Sequence, residues 1–331
     1  MFRFSRSLPD VMPAFHCMLP VRDEADIIGQ CLEHLLRWAD SIYVFDNGSV
    51  DETWEIVQDF ARKDRRVVPL KKDPVYFSDT RVRGWIFHQA RKGMREGDWF
   101  LRADADEIHH VPPPEFVRTR LRRHETIVWH QYYDFRLTES EVRAWEAGKE
   151  GLADRQRPIE DRRRCFTTSV YSEPRLCRYR ETMQWPMSHA FPCNAGFLAR
   201  ERLPIRHYPH RDPVQLSRRC RLRAIMMADR ENRAHWTCEV HHWDEAEWRK
   251  FITPDNLPEL CHWQPGSELP EVHFTNHLRA PHIRIVQRFV HGLCLPVLDR
   301  MRPAWPETGY PQRIPGEVNA LLERELRGET V

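Results

Sequence analysis

Between about residues 13 and 137, short apolar runs alternate with longer stretches whose apolar residues recur at helical spacing, and this pattern restricts the fold more than any other feature. The run FHCMLPV reads as a strand; in the following residues 25–39, Ile27, Ile28, Cys31, Leu32, Leu35 and Leu36 share one helical face. Strands are expected again at 41–47, 67–72, 98–106 and 125–137, with helices at 51–64, 79–97 and 113–124, the last opened by prolines. Strands alternating with helices of this length imply parallel strands joined by right-handed crossovers, hence a doubly wound α/β sheet.

Residues 138–165 are charged and turn-rich, an expected surface excursion over the site as a loop or short helices. Two further strands are expected at 169–180 and 203–211, and from about 214 helices dominate. The division expected is a nucleotide-binding α/β domain over 12–212 and a mostly helical C-terminal extension over 213–331.

In open α/β sheets ligands bind beyond the carboxyl ends of the strands. Three of those ends carry VRDEAD, FDNGSVDE and RADADEIHH, so three acidic clusters should meet in one crevice. In the last, Asp104 and Asp106 bring hard oxygen ligands that suit Mg²⁺ or Mn²⁺ bound with substrate phosphates. On an extended chain residues two apart face the same way, so both carboxylates can approach one ion, while Glu107 points toward a backbone or arginine partner. The competing reading is an acidic helix start ahead of Pro112–Pro114. FDNGSVDET reads by itself as a capped turn, with Asp46 at a strand end and Ser49 or Asp51 capping the next helix.

The order and distance of these segments resemble the family 2 glycosyltransferases with the GT-A fold, well over residues 14–125 and more weakly to about 212. The resemblance implies that the segment after the first strand and the Asp of the DNGS.D turn hold a nucleotide sugar, with the DxD motif holding a divalent metal on its diphosphate. It puts Pro20, Arg22 and Glu24 at the nucleotide end, Asp46 on the base or ribose, and Asp104 and Asp106 at the metal. Many relatives have Asn where this chain has Asp23. Arg81 and Arg83 are candidates to add positive charge at the diphosphate; the alternative is a solvated helix start. The segment LPIRHYPHRDPVQ is similar to an HY..R...Q segment of close relatives, which makes His207 the implied third metal ligand and His210 its rival. For the catalytic base the resemblance offers His189, followed here by Ala190 where several members have an acid; Glu173 is the other candidate.

The implied activity is metal-dependent transfer, with inversion, of a sugar from a nucleotide-diphosphate sugar, a UDP-sugar by default, to a glycan, lipid-linked or small-molecule hydroxyl, as in polysaccharide biosynthesis. Two other readings stand beside it. A nucleotidyltransferase would need a Gly-rich basic phosphate loop that LPVRDEAD does not offer, and a non-catalytic binding module is favoured only by Ala190.

Lys and Arg (51) nearly balance Asp and Glu (49), which argues against nucleic acid as a partner. The apolar runs fall far short of a membrane span, and nine scattered cysteines without a CxxC pair suit free thiols in a reducing, cytoplasmic setting. The basic runs around 118–124, 162–165 and 217–223 read as solvated helix faces or as attractors of anionic groups. Cys238, His241 and His242 lack the second spaced pair of a zinc site. Residues 280–301, directly preceded by Arg279, mix an apolar face with Arg284 and Arg288. They are expected to pack on the domain or on a second subunit of a homo-oligomer, the alternative being peripheral contact with the inner membrane surface.

Overall fold

The computed structural model describes residues 12–76, 79–186, 189–228, 246–291, 297, 301 and 308–327. Strand β1 (Phe15–Val21) lies at the centre of a parallel set with β2 (Ser41–Asp46), β3 (Val67–Lys72) and β4 (Trp99–Arg102), in the spatial order β3-β2-β1-β4. Helices α1 (Ile28–Leu36) and α2 (Thr53–Lys63) make the first two crossovers. The third is α3 (Gly84–Ala90), entered through a wide π turn over Asp79–Arg83.

The period-2 alternation of the strands explains the two faces. Phe15, Cys17, Leu19 and Val21 of β1 and Leu101 of β4 join one apolar cluster with Ile28, Leu32 and Leu35 of α1. Met18 and Phe100 face the other side and meet Ile86 and Phe87 of α3. Every residue of β1 is buried, as a strand covered on both faces requires.

Beyond β4 the sheet becomes mixed. β8 (Pro174–Arg178) runs antiparallel to β4 and to β6 (Ile127–Phe135), and β6 in turn pairs antiparallel with β7 (Cys165–Thr168) and parallel with β9 (Leu203–His207). The short β5 (Glu107–His109), not anticipated from sequence, pairs antiparallel with β9 and carries Glu107 opposite His207. Between β5 and β6 comes α4 (Pro113–Arg120), opened by Pro112–Pro114 as expected. The excursion after β6 forms the short helices α5 (Glu139–Glu146), opened by a Thr138/Glu141 capping box, and α6 (Ile159–Arg162).

Past β9 the chain enters α7 (Pro213–Ala228), and a two-residue β10 (Cys261–His262) adds to the edge at β7. Then come α8 (Pro281–Phe289) and α9 (Gly316–Leu326), which packs on α7. Ahead of α9 the chain is tied to the segment after β3: the backbone N–H of Tyr76 donates to Gln312 and that of Ile314 to Pro74. Among the described residues the C-terminal part carries helices as expected, except that 246–280 is largely irregular and the described part of the helix expected at 244–252 is a single 3₁₀ turn, Glu247–Phe251. Cys238, His241 and His242 lie outside the described residues.

Candidate active site

Two strand-to-helix turns build the first wall of the site, and each holds the other. The N–H groups of Asp23, Glu24 and Ala25 donate to Ser49 Oγ, Thr53 Oγ1 and Asp51 Oδ2, and Val50 N–H donates back to Asp23 Oδ1, all within 2.8–3.2 Å. Asp23 has a φ of 54°, a left-handed conformation that Asn and Asp tolerate better than other non-Gly residues. Asp in place of the relatives' Asn therefore keeps the backbone role. Gly48, at φ 74°, is the one residue that fits its position: an added Cβ would sit 2.8 Å from Pro74 Cβ.

These turns face a cavity of about 300 Å³, lined by Pro20, Arg22, Glu24, Asn47, Asp51 and Asp104 from the sheet side. Helix α7 supplies the opposite wall with Gln215, Arg218, Arg219 and Arg223, while Leu222 and Leu322 of α9 add apolar surface. Arg155, from the excursion after α5, reaches the same cavity and pairs with Asp212 through two bonds of 2.9 Å. The basic run of α7 was expected to be a solvated face or an attractor of anionic groups. The structure turns it onto the acidic turns: Arg218 lies 3.4 Å from Asp23 and Arg219 3.4 Å from Asp106.

Asp46 sits under this floor, fully buried. Its Oδ1 accepts from Ser49 N–H at 2.6 Å, while Oδ2 has no hydrogen-bond partner. Burial raises its pKa to about 6. Glu24 is held by Arg211, which also grips Asp26 through bonds of 2.6 and 2.9 Å. Burial dominates at Glu24 and raises it to about 8, although Arg211 opposes the shift.

The acidic strand end differs from its expected geometry. β4 stops at Arg102 and residues 103–106 form a turn, so the two-residue spacing does not put both carboxylates on one side. Asp104 pairs with Arg83 through Oδ1 and with Arg175 through Oδ2, at 2.9 Å. Asp106 looks toward His207, with Oδ2 and Nε2 3.6 Å apart. Among the described residues no three His, Cys, Asp or Glu side chains meet as a ready metal cluster. The Asp106–His207 pair nevertheless fits a divalent cation. Asp134 Oδ1 accepts from His207 Nδ1–H at 2.7 Å, which leaves Nε2 turned to the carboxylate, the arrangement of an imidazole ligand braced by a second carboxylate. Burial opposes a charge on His207, but Asp106 and Asp134 outweigh it and raise the pKa to about 10. His210 packs edge-on against Phe251, and burial among Arg219 and Arg136 keeps its pKa well below the usual value.

Arg175 organises the far side. Its guanidinium reaches Asp104, Glu107 at 2.8 Å and Glu173 at 3.3 Å, and donates to the Tyr132 hydroxyl, which itself donates to Glu107. Glu107 thus finds the arginine partner expected of it. Of the two candidate bases, Glu173 shares Arg175 with Asp104 and accepts from Tyr171 O–H at 3.1 Å. His189 lies beside Trp185, whose indole N–H donates to its carbonyl at 2.9 Å. Arg83 is buried and committed to Asp104, whereas Arg81 is exposed.

Sequence reasoning missed Arg175, Asp134 and the α7 arginines as site residues. An acid inside the apolar run IVWHQYYDF is the signal that could have flagged Asp134, since a buried charge needs a partner.

The strands and the paired turns make an α/β domain with a cavity at the carboxyl ends of its parallel strands. Residues 17–176, just under half of the chain, match glycosyl transferase family 2; the sheet is mixed and the C-terminal part carries helices. Among solved structures, one similar chain is the mannosyltransferase PcManGT from Pyrobaculum calidifontis in complex with GDP-Man and Mn²⁺. It is 14% identical, with a TM-score of 0.29, over 39% of this chain and 37% of that one. A mycobacterial protein aligns at 15% identity and TM-score 0.28, over 59% of this chain and 65% of its own. The glucosyl-3-phosphoglycerate synthase from Mycobacterium tuberculosis, in complex with Mn²⁺, UDP and glucosyl-3-phosphoglycerate, aligns at 17% identity and TM-score 0.25, over 50% of this chain and 57% of that one. The chain therefore spans between about a third and two thirds of these structures' lengths. No curated protein matches the chain. No helix among the described residues is long and apolar enough to cross a membrane.

Proposed function

We propose that the chain is a metal-dependent, inverting glycosyltransferase that moves a sugar from a nucleotide-diphosphate sugar, a UDP-sugar by default, to a hydroxyl of a glycan, lipid-linked or small-molecule acceptor. The observation that carries the reading is the Asp106–His207–Asp134 relay, beside a cavity walled by two acidic turns and an arginine-bearing helix.

In this reading Pro20, Arg22, Glu24 and the Asp46 turn receive the nucleoside, and the unpartnered Asp46 Oδ2 accepts from the base or ribose. Asp106 and His207 hold Mn²⁺ or Mg²⁺, with Asp104 as the third candidate ligand. A cation so held neutralises charge on the leaving diphosphate. Arg218 and Arg219, with Arg83 behind Asp104, donate to the diphosphate oxygens and favour departure of the nucleoside diphosphate. Glu173 takes the proton from the acceptor hydroxyl as it attacks the anomeric carbon, held in place by Arg175; His189 is the rival base.

Calorimetry of UDP and GDP with and without Mn²⁺, on the wild type and on Asp104→Ala/Asp106→Ala, tests the donor site. Metal-dependent binding that the double variant loses is expected. Absence of binding by both nucleotides in the presence of metal would remove the main support and favour a non-catalytic module or another donor.

A further inference from the structure

Helix α8 is turned inside out. Its apolar residues Ile285, Val286 and Phe289, with Phe289 four and three positions beyond the other two and so on their side of the helix, are 70%, 61% and 63% exposed, and none of its residues is buried. Arg284 is one of its half-buried residues, with Gln287 and the following Val290. The Arg284 side chain donates to the Leu198 carbonyl at 3.2 Å, lies 3.8 Å from Glu125, and stacks over Phe197 at 4.9 Å. Val297 and Met301 are exposed as well. An apolar helical face left in water marks a surface that something else covers.

The surroundings indicate what that is. A groove of about 670 Å³ beside α8 is lined by Arg122, Arg200, Arg202, Arg279, Arg284 and Arg288, against one acid, Glu201. The field there is positive enough that Arg200 and Arg122, after burial, help to depress Arg284 despite the opposing Glu125. A second copy meeting this face about a two-fold axis would set the same arginines against each other. A surface of anionic lipid accepts both the apolar side chains and the guanidinium groups.

We propose that α8 is an interfacial membrane anchor. Ile285, Val286 and Phe289 enter the acyl boundary of an anionic bilayer, and Arg279 and Arg288, with Arg122 and Arg200 at the groove mouth, bind lipid phosphates. This surface is separate from the donor cavity, and the inference does not rest on the transferase reading.

The test is sedimentation of the full chain with sucrose-loaded vesicles of phosphatidylcholine alone and of an equimolar mixture with phosphatidylglycerol. Binding to the mixed vesicles, weakened by salt and absent from phosphatidylcholine alone, is expected. Val286→Ser/Phe289→Ser and Arg279→Gln/Arg288→Gln should each lower partitioning by about tenfold while leaving the melting temperature unchanged, because all four side chains are exposed. No binding to the mixed vesicles, or binding that both variants keep, overturns the proposal. So does a dimer in sedimentation velocity that Val286→Ser/Phe289→Ser dissolves without lipid binding by the wild type, since α8 would then cover a second copy.

Discussion

His207 Nδ1 lies 2.7 Å from Asp134 Oδ1, and its Nε2 lies 3.6 Å from Asp106 Oδ2, so one imidazole links strands β6 and β9 to the acidic turn. An outer carboxylate of this kind fixes the tautomer and orientation of a ligating ring. Asp134→Asn is expected to weaken Mn²⁺-dependent nucleotide binding by about tenfold, and Asp134→Ala by up to about a hundredfold. Calorimetry with metal present and absent separates this from a general loss of fold: binding without metal should be unchanged.

Arg219 sits 3.4 Å from Asp106, and Arg218 between Asp23 and Asp51 at 3.4 and 3.9 Å. If they meet the diphosphate, Arg218→Ala/Arg219→Ala should raise the UDP dissociation constant by roughly tenfold or more. The affinity for uridine, which lacks phosphates, should stay the same. Equal losses for the two ligands would show that the arginines only shape the wall.

Arg211 is fully buried and bonds both Glu24 and Asp26. Arg211→Met removes the cation bonded to both buried acids, leaving only the more distant Arg155 and Arg162 for Asp26 and Arg219 for Glu24, at a cost of about 3–5 kcal/mol by denaturant unfolding. Adding Glu24→Gln and Asp26→Asn should restore part of that stability, because the penalty belongs to the unpaired charges. No recovery in the triple variant would point to packing instead.

His34 gives the pH dependence. Its Nε2 accepts from His109 N–H at 3.1 Å, so the ring is neutral, and burial lowers its pKa to about 3. The unfolded imidazole titrates near 6.5, so below that pH the unfolded chain binds the extra proton. Stability is complete above about pH 6.5 and falls as pH drops toward 3, by roughly 1.4 kcal/mol per unit from this residue. The stacked His109, held well below its usual value by burial, adds with the same sign. Unfolding midpoints at pH 7, 6 and 5 check this, and His34→Gln should flatten the slope by about one proton; an unchanged slope would exclude His34 as its source.

The alternation of residues 13–137 determined the parallel half of the sheet, because a strand covered on both faces and an amphipathic crossover each write their period into a short local stretch. DNGS likewise announced its turn, since Gly48 at φ 74° against Pro74 admits no side chain. The acidic clusters could be assigned to one crevice from the rule for strand ends alone. What each acid faces was decided by tertiary structure. Asp104 and Asp106, two residues apart, part company because the strand stops at Arg102, so that one turns to Arg83 and Arg175 and the other to His207. Those partners come from strands and loops between 20 and about 100 residues away, and no local pattern encodes such a pairing. The same holds for α7, whose arginines read as a solvated face or an attractor of anionic groups until the folded chain sets them, with Leu322 of the neighbouring α9, along the cavity. Charge without periodicity says only that a partner exists; the long-range contacts that close the sheet choose which one.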